Sequence, residues 1–142
     1  MPNLSSLFRS HTRFRVVESL PEDFRDPFTE GLNEHAFRAP LGASKERRSG
    51  WCVHGQPLTT TFEVNTWLHN HYGLFSLRAD QHRVPPKLLK ARVQEAVAQW
   101  CTEQKRERCP ALVKAELREN IEVELLGRTL PAMRTTDVVW NL

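Results

Sequence analysis

The chain has 142 residues, 39% hydrophobic and 26% charged, with 20 Lys and Arg against 17 Asp and Glu for a net charge of +3. That length suits one ordinary domain, and the apolar content is enough to bury a core, which excludes a disordered tail. A balance this close to neutral excludes a histone-like cationic protein, so any anionic partner must be recognised through the arrangement of charge.

Cys52, Cys101 and Cys109 are odd in number and widely spaced. This argues against a disulfide framework and for a reducing compartment, the cytoplasm. The N-terminal MPNLSSLFRSHTRFR has no continuous apolar stretch of the kind a signal peptide needs. Nowhere does the sequence approach the roughly 18 apolar residues of a membrane span, so neither export nor membrane insertion is expected.

In chain order, Arg13 to Glu18 (RFRVVE) is rich in β-forming residues and predicts a strand closed by the turn signal Ser19 to Pro21. Phe24, Phe28, Leu32 and Phe37 recur at near-helical spacing, and a helix from about Pro27 to His35 fits Pro27 near its start. Arg38 to Gly50 (RAPLGASKERRSG) is polar and basic and reads as a surface loop. Thr61 to Leu68 alternates apolar and polar residues, and His69 to Gly73 supplies turn residues before Leu74 to Ala79, predicting a β-hairpin.

Pro85 and Pro86 cannot donate to a sheet but are compatible with a helix start, and they mark the switch to a helical period. Leu89, Val93, Ala96, Val97 and Trp100 form one apolar stripe, and Val113, Leu117, Ile121 and Leu125 form a second beyond Pro110. Two helices joined at Cys109-Pro110 follow, with Gly127 as a plausible C-cap and Thr135 to Leu142 as a terminal strand. The expected class is α+β: a small antiparallel sheet with an N-terminal helix, a protruding helical pair and a C-terminal strand. Residues 1–84 and 135–142 would bear the sheet and residues 85–134 the helical part of a single domain.

Motifs for chemistry are sparse. His69-Asn70-His71 spells the letters of an HNH nuclease, but three contiguous residues point in different directions and cannot converge on one metal. Cys52 and His54 share one face of a strand, and Cys101 and Cys109 could complete a zinc set, yet no CxxC or HxxxH spacing supports it and buried structural cysteines are the simpler reading. Neither a P-loop, nor GxSxG, nor a glycine-rich dinucleotide turn occurs. Glu122 and Glu124, two apart on a helix, diverge. No enzyme, metal or cofactor is expected.

Basic residues concentrate in the helical pair: Lys87, Lys90, Arg92, Lys105, Arg106, Arg108, Lys114, Arg118 and Arg128, with Lys45, Arg47 and Arg48 in the preceding loop. Phosphate contact needs only long cationic side chains on a common face. The competing reading pairs these cations with Glu95, Glu103, Glu107, Glu116 and Glu119 as a solvated surface.

The order of RFRVVE, HAFRAP, Gly50-Trp51 after a polar loop, LRAD ending at Asp80, VPPKLLKARVQEAV, EQKRER, KAELRENIEVELLGR and the closing VVW resembles the N-terminal half of the recombination-associated RdgC family. The similarity runs from about Arg13 to Trp140, and the order and spacing carry it more than any one motif. It implies a non-catalytic DNA-binding protein without a cofactor, in a family of ring-shaped dimers that encircle duplex DNA and restrain RecA-driven strand exchange. It also implies that an apolar side chain after the second helix helps two subunits meet. Matching the Leu-Leu-x-Arg pattern at Leu125, Leu126 and Arg128 puts Leu130 at that position, where the family has an aromatic residue, with Met133 close by. Gly127 stands where the family has proline, and the sequence stops where family members continue into a second half, as a fragment or a short relative would.

Two functions are therefore expected to compete. One is a sequence-independent duplex DNA-binding protein, nucleoid-associated and homodimeric, using the cations named above. The other is a protein interaction module on the same fold, with Leu130, Met133 and Trp140 as its partner surface.

Overall fold

A computed structural model describes residues 10–142. Among them are, in order, α1 (Arg25–Glu34), β1 (Arg48–Val53), α2 (Val64–Trp67), β2 (Leu68–His69), β3 (Tyr72–Gln81), α3 (Pro86–Gln104), α4 (Ala111–Arg128) and β4 (Ala132–Asn141). The protein is α+β with one antiparallel sheet. β3 is its spine: β1 pairs along its Phe75–Asp80 portion, the two-residue β2 pairs at Tyr72 and Gly73 on the same side, and β4 covers the whole of its other side.

Aromatic residues lock α1 onto one face of this sheet. Trp67, fully buried, joins Leu32, Val53, Phe62 and Phe75 in the core, with Phe24, Phe28, Trp51 and Val138 packed around them. The Phe28 ring lies 4.7 Å from that of Trp67, 5.6 Å from Phe75 and 5.2 Å from Trp140, within the range where tilted and edge-on aromatic pairs attract. The polar end of the buried indole is satisfied, since Trp67 Nε1 donates to Thr29 Oγ1 at 2.8 Å. Asn33 ties helix to loop by accepting from Phe62 N at 2.8 Å and donating to Phe62 O at 2.9 Å. Gly50 is required where β1 passes the Ala36–Phe37 segment, because a Cβ there would collide with the Phe37 backbone.

On the opposite face, Arg78 and Asp80 form a nearly buried bidentate pair at 2.9 and 2.7 Å. Arg78 also donates to Pro57 O at 3.0 Å and stacks over the Phe37 ring at 4.0 Å. The Asp80 hydrogen bond holds the guanidinium proton more firmly than usual, raising the Arg78 pKa.

Beyond the sheet, α3 and α4 form a hairpin with its own small core of Leu89, Val93 and Leu125, flanked by Val84, Val97 and Ile121. Pro86 opens α3 where its missing N–H costs nothing, and Lys105 ends it in the left-handed region (φ 53°).

Five expectations change. Arg38 to Gly50 is not loop throughout, because Arg48 to Gly50 open β1 and pair with Asp80 to Arg78 of β3. Arg13 to Glu18 forms no strand: Phe14, Val16 and Val17 are exposed and no sheet edge among the described residues pairs with the segment, so β propensity there has nothing to satisfy it. Thr61 to Leu68 is not a strand either. Glu63 and Thr66 form a capping box that turns Val64–Trp67 into one helical turn, leaving Leu68–His69 as the hairpin strand. Gly127 lies inside the last turn of α4, whose C-cap is Thr129. The terminal strand starts earlier than expected, at Ala132, because β3 offers partners as far as Gln81.

Candidate nucleic-acid interface

The hairpin from Pro86 to Arg128 carries nine Lys and Arg against seven Glu, so the disposition of these groups matters more than their sum. Of the nine cations, two are committed to carboxylates. Arg92 lies 3.5 Å from Glu124 across the seam and 4.0 Å from Glu95, and Arg128 lies 3.2 Å from the same Glu124. Among the described residues no ion pair engages Lys87, Lys90, Lys105, Arg106, Arg108, Lys114 or Arg118. The wholesale local pairing with Glu95, Glu103, Glu107, Glu116 and Glu119 that would neutralise the surface is absent from these residues, apart from the long Arg92–Glu95 contact.

Helical geometry sorts the free cations. The Arg92–Glu124 contact defines one flank of the α3–α4 seam. With a step of about 100° per residue, Lys90 falls on the other side of the Leu89–Val93–Val97 stripe, and Lys87 lies one turn before it. On α4, Lys114, Arg118 and Glu122 follow one another at single-turn intervals, on the side of Ile121 and Leu125 away from Glu124. Lys90, Lys114 and Arg118 therefore share one flank. Lys105, Arg106 and Arg108, all exposed, occupy the distal connection to which that flank leads.

The basic loop meets the same flank at the sheet end. Lys45 Nζ sits 2.7 Å from Glu122 Oε1, and its backbone carbonyl accepts from Gln81 Nε2 at 3.1 Å. This contact pins the loop to α4 and occupies the Lys45 charge. Arg48 opens β1 with only a 3.9 Å contact to Glu46, and Arg47 is exposed. Of the twelve cations singled out in the sequence, Lys90, Lys114 and Arg118 are thus spread along one flank, Lys87 lies one turn before Lys90, and Lys105, Arg106 and Arg108 lie at the far end. Arg92 and Arg128 stand on the opposite flank.

The apolar residues separate as well. Leu130 is 90% exposed and Met133 44% exposed, both where the hairpin returns to the sheet. Trp140 is different: it is half-buried, with its ring 6.3 and 5.2 Å from those of Phe24 and Phe28, so part of it packs on the aromatic residues of the body.

One polar cluster is not legible in the sequence. Cys52, His54, Ser76, Thr135 and Asp137 line a cavity of about 410 Å³ on the sheet face away from α1. Ser76 Oγ donates to Asp137 Oδ1 at 2.6 Å, His54 Nδ1 lies 3.4 Å from that oxygen, and the Cys52 thiol reaches Ser76 O at 3.5 Å. Burial pushes the Cys52 thiol up, partly offset by Arg78. These residues meet only because β1 and β4 flank β3, a pairing no local spacing announces. Cys101 and Cys109 lie on the hairpin, and among the described residues no group of three or more His, Cys, Asp or Glu is placed to hold a metal ion. Among those residues no helix is long and apolar enough to cross a membrane.

The protein is an α+β sheet body carrying a helical hairpin, one flank of which holds Lys90, Lys114 and Arg118 without ion pairs among the described residues. The family model described as "Putative exonuclease, RdgC" matches residues 7–142, and the chain belongs to the RdgC family. No curated protein matches it.

Proposed function

We propose that this chain binds duplex DNA without reading sequence, as a nucleoid-associated protein linked to recombination, and that it does so by contact without cutting. The observation that carries this reading is the flank on which Lys90, Lys114 and Arg118 stand without ion pairs, continued by Lys105, Arg106 and Arg108, in a member of the RdgC family. Exposed cations of this kind gain from phosphate contact through counterion release, a term independent of base sequence. Lys45 adds to it once a phosphate displaces Glu122.

Equilibrium binding to two unrelated duplexes over a salt series tests the proposal. Equal affinities that fall steeply with salt are expected. Affinity that ignores salt, or that differs greatly between the duplexes, contradicts it. The family description names an exonuclease, so the same duplexes are followed with a divalent cation present. Nucleotide release would replace binding by catalysis.

A second reading rests on Leu130, which is 90% exposed and lies beside the half-exposed Met133 where the hairpin returns to the sheet. In this reading the pair forms a contact between two copies or with another protein. Leu130→Asp then converts a dimer into a monomer in a solution mass measurement, whereas an unchanged mass removes Leu130 from the interface.

A further inference from the structure

Lys45 is held at two points by two different elements. Its backbone carbonyl accepts from Gln81 Nε2 at 3.1 Å, and Gln81 is itself oriented by Arg83, whose Nε and Nη2 donate to Gln81 Oε1 at 3.3 and 3.1 Å. Ser44 Oγ accepts from Glu46 N at 3.1 Å, so the chain turns around Lys45. The ammonium is held separately, 2.7 Å from Glu122 Oε1, by a lysine side chain that is 62% exposed and a glutamate that is 23% exposed.

Glu122 is also the acidic residue that continues the Lys114–Arg118 row of α4, one turn and about 6 Å beyond Arg118. A carboxylate at that position repels the phosphates that Lys114 and Arg118 attract, and it engages a cation that a phosphate could otherwise engage. We infer that Glu122 is a resident competitor for DNA phosphate: it occupies Lys45 in the free protein, and duplex DNA takes the Lys45 ammonium from it. The inference rests on the DNA-binding reading above and goes beyond it by giving an acidic residue control of the affinity.

The separate anchors make the exchange inexpensive. Gln81 keeps the Lys45 backbone in place while the flexible side chain changes partner, so the loop need not leave the sheet. A phosphate oxygen replaces a carboxylate oxygen, and one charge-assisted hydrogen bond is lost as another forms. The exposed side of Lys45 is open to the incoming backbone. Glu122 therefore lowers the affinity that the flank would reach with Lys45 free, and the protein releases DNA more readily.

A cycle of four full-length chains tests this: unaltered, Glu122→Gln, Lys45→Gln and the double variant, each titrated with duplex DNA over a salt series. Glu122→Gln, which keeps the size of the side chain, should bind several-fold more tightly than the unaltered chain. Lys45→Gln should weaken binding more in the Glu122→Gln background than in the unaltered one, because only there does Lys45 reach phosphate without first leaving a carboxylate. In that background it should also flatten the slope of log affinity against log salt by about one. The reverse order of effects would mean that Lys45 only neutralises Glu122, and would overturn the exchange, as would a Glu122→Gln chain that binds no more tightly. Lysine acylation read by mass spectrometry separates this failure from that of DNA binding itself. Without DNA, Lys45 should acylate several-fold faster in Glu122→Gln than in the unaltered chain, and duplex DNA should then protect Lys45 together with Lys114. Protection of Lys114 without Lys45 would overturn the exchange and leave the DNA-binding reading standing, whereas protection of neither, with no binding by any chain, would remove both.

Discussion

The sheet body and the helical hairpin use the same chain for different ends. In the body, Trp67 and Cys52 are fully buried, and the aromatic residues of α1 interlock with β3 and β4. Even its buried charges are matched, as Arg78 is with Asp80. In the hairpin, Leu89, Val93 and Leu125 are the seam's buried residues, and most side chains along both helices face water. Stability is therefore concentrated in the body, and charge is displayed on an element that can vary without disturbing it. Substitutions in the two regions should separate accordingly.

The largest effect is expected from Trp67→Ala, which empties the centre of the body and removes the bond to Thr29. A destabilisation of about 3 to 5 kcal/mol is expected in chemical denaturation, as for large aromatic deletions in well-packed cores. Arg78→Met comes next. It leaves Asp80, only 6% exposed, as an uncompensated buried carboxylate, with an expected cost of about 3 kcal/mol in the same measurement. If Arg78→Met costs under about 1 kcal/mol, Asp80 is better hydrated than its burial indicates.

In the hairpin, Leu89→Ala should cost about 2 kcal/mol, at the low end for a buried leucine because the seam is narrow and can relax. Backbone hydrogen exchange should then quicken across α3 and α4 while β3 stays protected. Uniform quickening would mean that hairpin and body unfold together, weakening the contrast. The smallest effect belongs to Arg92→Ala. Its partners Glu95 and Glu124 are 75% and 42% exposed, so the stability change should stay below about 0.5 kcal/mol.

Legibility in the sequence follows the same division. The hairpin is legible because the Leu89, Val93, Val97 and Val113, Leu117, Ile121, Leu125 stripes are local periodic signals, and Pro86 marks a boundary by its own chemistry. The body is less so. The alternation from Thr61 to Leu68 suggests a strand, but the reciprocal Glu63–Thr66 bonds favour a helical turn. Arg13 to Glu18 has strand composition, yet it pairs with no sheet edge among the described residues. The RdgC resemblance, resting on order and spacing along the chain, is independent of these local errors, and the family match over residues 7–142 agrees with it. Which cations stand free cannot be read from spacing, because the Lys45–Glu122 and Arg92–Glu124 contacts depend on how loop, α3 and α4 pack.

The most direct test compares two charge reversals of equal size. Lys114→Glu with Arg118→Glu alters the free flank of the hairpin, and Arg25→Glu with Arg38→Glu alters the body. Duplex DNA affinity is measured for each against salt. The hairpin variant should bind more weakly, with the slope of log affinity against log salt flattened by roughly two, about one for each phosphate no longer neutralised. The body variant should keep the slope of the unaltered chain. Equal weakening in both variants, or an unchanged slope for the hairpin variant, would contradict a DNA-contacting role for the hairpin.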